Sequence, residues 1–143
     1  MGGMPRFVLL YHDCPASFPR SSHWDFMLES GDVLRTWALE QLPCDWEMAW
    51  ARTLGVFANC PELALGDVVR AEQLADHRPA YLTFEGPLSD GRGRVIRVAA
   101  GAYESMAESA DERSLKLTGE ELSASVILSR DGAAASGWTL RSS

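Results

Sequence analysis

The sequence predicts a mainly β fold: a small single-domain β-barrel with one or two short helices. Its 143 residues suit one domain with one hydrophobic core. Apolar and polar residues alternate with the period of two that is typical of half-buried strands. Turn signals such as "SDGRG" and "LTGEE" separate these segments, as in all-β barrels and sandwiches.

The first half of the chain carries the clearest strand signals. Arg6–His12 ("RFVLLYH") is a short apolar run with β-branched and aromatic members. Ser22–Leu39 is predicted to be a β-hairpin, because "SGD" separates two strand-like runs. In its first strand Trp24, Phe26 and Leu28 share one face, which we expect to be buried. The other face then carries His23 and Asp25 side by side.

The rest of the chain has weaker signals. Asp45–Gly55 could form a short amphipathic helix with Asp45 as its N-cap, and Tyr103–Ser114 is polar enough for a surface loop or short helix. Residues 1–143 are expected to form one domain in which 131–143 is a C-terminal tail. Further strands are predicted at Ala80–Glu85, Val95–Ala100, Leu115–Leu117, Ala124–Ser129 and Trp138–Leu140.

Composition narrows the function classes. A net charge of −7 argues against a nonspecific nucleic-acid binder, whose affinity comes from neutralising phosphates. It does not exclude a local phosphate site, and of the 13 basic residues only Lys116 is a lysine. Arginine suits bidentate phosphate recognition. No apolar run is long enough for a membrane span, and the three cysteines have no CxxC spacing. We therefore expect no membrane association, no disulfide framework and a cytoplasmic location.

The three histidines are the candidate functional residues. Each has a carboxylate close by in sequence: His12 with Asp13, His23 with Asp25, and His77 with Asp76. Such a histidine is either an ordinary residue satisfied by its neighbour or a metal ligand. If a metal is bound, two triads compete: His23, Asp25 and His77, as in non-haem iron oxygenases, or His12, His23 and Asp25. Sequence spacing leaves these alternatives open.

Three blocks in order resemble the 3′-phosphoesterase domain of bacterial DNA ligase D and its stand-alone relatives. The resemblance covers about residues 7–130 and is most specific in its first two blocks. The matching text is "FVLLYHD" (Phe7–Asp13) followed by "HWDFMLESGDVLRTWALEQLP" (His23–Pro43), then "ADHRPAYLTFEGPLSDGRGRV" (Ala75–Val95), and "LTGEELSASVILSR" (Leu117–Arg130).

The resemblance implies a small β-barrel that binds a divalent metal, most often Mn²⁺, with Zn²⁺ or another ion as an alternative. It implies removal of a 3′-phosphate or a terminal ribonucleoside from DNA or DNA/RNA primer ends during repair, with a DNA ligase or repair polymerase as a candidate partner. By position, His12, His23 and Asp25 would be the metal ligands, and His77 and Tyr81 would contact the scissile phosphate.

Several positions depart from the family pattern. Met27 stands where the family has an arginine two residues after the metal-binding aspartate, and Leu10 replaces a glutamine in the first strand. Arg92 and Arg94 are candidate phosphate-binding residues that could compensate. These departures also predict an alternative: a catalytically degenerate module of the same fold that binds metal or nucleic-acid ends without turnover.

Overall fold

The computed structural model describes residues 3–53, 65–132 and 136–143. The described chain is built mainly of β-strands, with one short α-helix, α1 (Glu47–Thr53), preceded by a 3₁₀ turn at Cys44–Trp46. The strands are β1 (Arg6–Asp13), β2 (His23–Ser30), β3 (Val33–Leu39), β4 (Leu42–Pro43), β5 (Leu65–Gly66), β6 (Val68–Gln73), β7 (Gly86–Pro87), β8 (Arg94–Glu108), β9 (Glu112–Gly119), β10 (Ala124–Arg130) and β11 (Gly137–Ser142).

Eight of these strands close into a β-barrel, which confirms the predicted fold class. The order around the barrel is β1-β2-β3-β6-β11-β10-β9-β8, and β8 pairs back onto β1. Within the described residues, closure gives each of the eight barrel strands a partner on both sides. Strand β7 adds a short pairing to β8, while β4 and β5 form a separate parallel pair.

The barrel interior contains the main core, and one end is filled by aromatic residues. As predicted, Trp24, Phe26 and Leu28 of β2 point inward and are buried. Trp50 of α1 packs on Tyr11 and Trp24, with ring centroids 5.1 and 5.3 Å apart. The short helix therefore supports, from inside, the ends of β1 and β2.

A second apolar cluster covers part of the outer face of β1 and β2. Val8, Leu10 and Met27 are buried there with Leu82. The polypeptide that covers them includes a 3₁₀ turn at Pro79–Leu82. Strand β2 is consequently buried on both faces over most of its length.

Two secondary-structure predictions are wrong. The predicted strand Ala80–Glu85 is instead the end of the 3₁₀ turn and the irregular chain that follows it. Pro79 starts this turn, and Tyr81 and Leu82 pack against the outer face of the barrel. Tyr103–Ser114 is not a loop or helix: β8 runs to Glu108 and β9 starts at Glu112. The small polar residues there lie on a largely exposed hairpin, and so they lack the alternation of a half-buried strand.

The other predicted strands are present with shifted ends. Sequence patterning missed β6, which joins β3 to β11. Residues 137–142, beyond the resemblance, form β11 between β6 and β10. The predicted helix stop at Gly55 lies outside the described residues. Within the described residues, no helix has the length and apolar character to cross a membrane.

Candidate metal centre

Strand pairing brings two histidines and an aspartate together on the outer barrel face. His12 of β1 lies directly opposite His23 of β2, and Leu10 lies opposite Asp25. Directly opposed residues of an antiparallel pair point to the same face. The imidazole rings are 5.1 Å apart between centroids. The alternation that buries Trp24 inside the barrel therefore places His23 and Asp25 outside it.

Backbone carbonyls fix the orientation of both imidazoles. His23 Nδ1 lies 2.8 Å from the Ser21 carbonyl oxygen, and His12 Nε2 lies 2.7 Å from the Arg92 carbonyl oxygen. A carbonyl oxygen only accepts, so each of these nitrogens carries the proton. The remaining nitrogens, His23 Nε2 and His12 Nδ1, keep lone pairs available. Such carbonyl-oriented imidazoles are typical of metal-binding histidines.

Both remaining nitrogens face the Asp25 carboxylate. His23 Nε2 lies 3.0 Å from Asp25 Oδ1, and His12 Nδ1 lies 3.9 Å from Asp25 Oδ2. Asp25 is only 4% exposed, and its Oδ1 makes no hydrogen bond of acceptable geometry despite the short distance to His23. A buried carboxylate oxygen without such a bond is costly. Two lone pairs and an unsatisfied carboxylate fit a shared cation.

The pKa of His23 is shifted by the same neighbouring groups. Burial alone would lower the pKa of His23, but the adjacent Asp25 carboxylate and the Ser21 carbonyl outweigh burial and raise that pKa above 6.5. The carboxylate that faces both imidazoles therefore favours the protonated form of His23.

Cys14 is a candidate ligand that the sequence analysis missed. A ligand atom of Cys14 lies within 4.8 Å of ligand atoms of both His12 and His23, which also lie within 4.8 Å of each other. Ser22 positions this cysteine: its Oγ accepts a hydrogen bond of 2.9 Å from the Cys14 backbone N–H. Burial raises the pKa of the Cys14 thiol to about 11, with further contributions from Asp25 and Asp13. In the sequence, the closeness of Cys14 to His12 and Asp13 was a signal of a ligand group. The fold is needed to show that Cys14 also lies near His23.

Arg20 is a second residue that the sequence analysis missed. It is close enough to the centre to oppose the upward pKa shifts of Cys14 and His23. Its guanidinium pairs with Glu72 of β6. Both residues line a cavity of about 420 Å³ that also includes Ala38. Because Ala38 lies opposite Asp25, one wall of the cavity adjoins the candidate metal centre.

His77 and Tyr81 lie further along the outer face. Their rings are 5.6 Å apart, and Tyr81 packs against the second apolar cluster. The backbone of His77 bridges to Leu34 of β3, four residues from Ala38, or about 13 Å along a strand. The triad His23, Asp25 and His77 is therefore not brought together as the oxygenase alternative requires.

The two predicted phosphate-binding arginines make local contacts. Arg92 donates from Nε and Nη2 to Ser89, at 3.0 Å each, and it shares a shallow cavity with Tyr81. Arg94 Nε lies 3.3 Å from Asp13 Oδ2. Arg92 therefore connects the His12 side of the centre with the Tyr81 side.

The departures Met27 and Leu10 are explained by packing. Both are fully buried in the second apolar cluster, below Leu82 and next to Tyr81. An arginine at position 27 would place a charge among these apolar groups. The chain therefore has two apolar side chains of this cluster where the family pattern has an arginine and a glutamine.

Comparison with known protein families gives a match over most of the chain. A family model described as the DNA Ligase D 3′-phosphoesterase domain matches residues 16–130. No curated protein matches the chain.

Proposed function

The chain belongs to the DNA ligase D 3′-phosphoesterase domain family, and on this premise we propose that it is a metal-dependent phosphoesterase that trims nucleic-acid 3′ ends in DNA repair. The main support is that His12 Nδ1 and His23 Nε2 both face the buried, unsatisfied carboxylate of Asp25. We propose His12, His23 and Asp25 as metal ligands. The family resemblance favours Mn²⁺.

The bound metal would neutralise charge on the phosphoryl group and lower the pKa of a water nucleophile. The protein groups supply orientation. The Ser21 and Arg92 carbonyls hold the two imidazoles, and the other ring nitrogens face the Asp25 carboxylate. Rigid strands position such groups better than loops would.

We propose His77 and Tyr81 as catalytic residues that contact the scissile phosphate from the side of the substrate that faces away from the metal ligands, because His77 lies further along the outer face than Asp25 does. The His77 Nδ1–H donates to the Ala75 carbonyl at 2.9 Å, so Nε2 is the nitrogen available to a ligand. Tyr81 can donate a hydroxyl hydrogen bond. Arg92 and Arg94 remain proposed phosphate-binding residues, and Arg20 is a further cation beside the centre.

The substrate would be a 3′-phosphate or a terminal 3′-ribonucleoside on a DNA or primer end. A single phosphate suits this protein, because the net charge of −7 disfavours contacts along an extended backbone. A ligase or repair polymerase that acts at the same break would use the trimmed end.

Phosphate release from a 3′-phosphorylated oligonucleotide tests the proposal. The chelator-treated protein should be inactive and should regain activity with Mn²⁺. His23→Ala and Asp25→Asn should reduce release by more than about 100-fold, since loss of a ligand exceeds the 10–100-fold effect of losing a supporting residue. Asp32→Asn, in the exposed turn of the same hairpin, is the matched control and should retain activity.

A second candidate function is end binding without turnover, favoured by the burial of Met27 and Leu10 in an apolar cluster. Metal-dependent binding of the 3′-phosphorylated end with no release of phosphate in any divalent metal would reject the phosphoesterase and support this candidate. Absence of both binding and release would reject the two together.

A further inference from the structure

The side-chain cluster at the metal centre contains one more donor than the proposed function uses. His12, Cys14 and His23 each contribute a ligand atom, and these atoms lie within 4.8 Å of one another. Donors around a single ion are about 3–4 Å apart, given metal–ligand bonds of roughly 2.0–2.3 Å. The three groups therefore need only small movements to contact one cation.

A second observation supports a ligand at this point independently of the cysteine. Asp25 is 96% buried, since its exposure is 4%, and its Oδ1 forms no hydrogen bond of acceptable geometry with the described residues. The same carboxylate is 3.0 Å from His23 and 3.9 Å from His12. The carboxylate therefore adjoins the group that contains Cys14.

Local structure places the thiol here. After β1 the chain bends back, and the Cys14 N–H donates to Ser22 Oγ, one residue before His23. The Cys14 Sγ contacts a weak acceptor, the His12 carbonyl oxygen at 3.7 Å. A thiolate bond to a cation would replace this weak contact.

We propose that Cys14 is a metal ligand, and that together with His12, His23 and Asp25 it makes the centre selective for a thiophilic cation such as Zn²⁺ over Mn²⁺. Thiolates favour Zn²⁺, whereas carboxylate, carbonyl and water ligands suit Mn²⁺. On binding, a metal–sulfur bond forms as the S–H bond breaks, and the proton passes to solvent. The inference shares the metal centre with the proposed function but does not depend on phosphate hydrolysis.

Titration of the chelator-treated full chain with Co²⁺ tests the ligand set. Thiolate ligation should give a near-ultraviolet sulfur-to-cobalt charge-transfer band. Cys14→Ser should abolish this band while weaker visible cobalt bands persist. Cys44→Ser is the matched control, because Cys44 is an exposed thiol beside Asp67, and it should keep the band. No band in the wild type, or a band in Cys14→Ser, would overturn the proposal.

Competition between Zn²⁺ and Mn²⁺ tests the selectivity. The ratio of their affinities should fall by about tenfold or more in Cys14→Ser, the loss seen when even supporting residues of metal sites are removed. An unchanged ratio would show that sulfur does not select the ion.

Alkylation of the unmodified protein tests the same point without a variant. Zn²⁺ should protect Cys14 from iodoacetamide, and equimolar Mn²⁺ should not, with modification of each cysteine measured by mass spectrometry. Equal labelling of Cys14 with and without Zn²⁺ would contradict the proposal. A charge-transfer band without phosphate release would reject the proposed function alone.

Discussion

Asp25 is the side chain that most strongly supports the proposed ligand site on the outer barrel face. Its carboxylate is buried and one oxygen lacks a hydrogen bond, an arrangement that costs about 1–3 kcal/mol or more. The neighbouring Leu10 and Met27 show that apolar side chains are tolerated on this face. The proposed metal ligation therefore gives this charged residue a role that a contribution to stability does not.

Gly93 directly follows Arg92, whose carbonyl oxygen orients His12, so its backbone conformation affects the proposed metal centre. Gly93 has φ +88°, and a Cβ at this position would lie 2.0 Å from the Asp13 carbonyl oxygen. Gly93→Ala should push the turn away from β1 and pull the Arg92 carbonyl from His12 Nε2. We expect metal affinity to fall by about 10–100-fold, as for other supporting groups of metal sites, when measured by calorimetric titration.

Gly91→Ala is the matched control for Gly93→Ala. Gly91 also has positive φ, +67°, and lies in the same turn, but a Cβ there meets no atom within 4 Å. The two variants share the cost of backbone strain and differ in the contact with β1. Equal metal affinity in both would show that the turn does not orient His12.

The elements that sequence reasoning predicted are those with a strong local signal. The β2–β3 hairpin follows from strict alternation around a Ser-Gly-Asp turn. Its alternation also places His23 and Asp25 on a common face, whereas the position of His12 follows only from pairing between β1 and β2. Cys14 and Arg20 could not be predicted in the site, because loop conformation and the neighbouring strands bring them there.

The helix α1 shows how an element away from the site supports it. Trp50 contacts Tyr11 and Trp24, each of which is adjacent in sequence to a proposed ligand. Trp50→Ala should lower the free energy of unfolding by about 3–5 kcal/mol and also weaken metal binding, because the ends of β1 and β2 lose their inner support. Urea unfolding and calorimetric titration measure the two effects.

Met48→Ala is the matched control, because it introduces alanine at an exposed position of the same helix. Met48 is on the same helix but is 68% exposed, so the free energy of unfolding should change by less than about 0.5 kcal/mol. If Trp50→Ala were destabilised with unchanged metal affinity, the helix would stabilise the barrel without contributing to the centre.

Considered as a whole, the protein combines a net negative charge with arginines near the residues of the proposed site. The net charge is −7, yet Arg20, Arg92 and Arg94 lie near the residues of the proposed site. Each makes a contact with a side chain or backbone oxygen. Long-range attraction to nucleic acid is consequently weak, and recognition should depend on the end of the strand rather than on its length.

The salt dependence of binding tests this distribution of charge. For single strands, log K falls with log salt concentration by about 0.7 per phosphate neutralised. Binding of one or two phosphates should therefore give a slope of about −1, measured by fluorescence anisotropy with an oligonucleotide that ends in a non-hydrolysable 3′-phosphonate. Arg20→Gln should make the slope shallower by about 0.7. Arg35→Gln is the control and should leave the slope unchanged, because Arg35 lies opposite Leu28 and beside Glu108 rather than beside the proposed ligands. A slope steeper than about −4, or equal affinity for an oligonucleotide with a 3′-hydroxyl, would mean that the protein binds along the strand and that its acidic surface does not restrict it to ends.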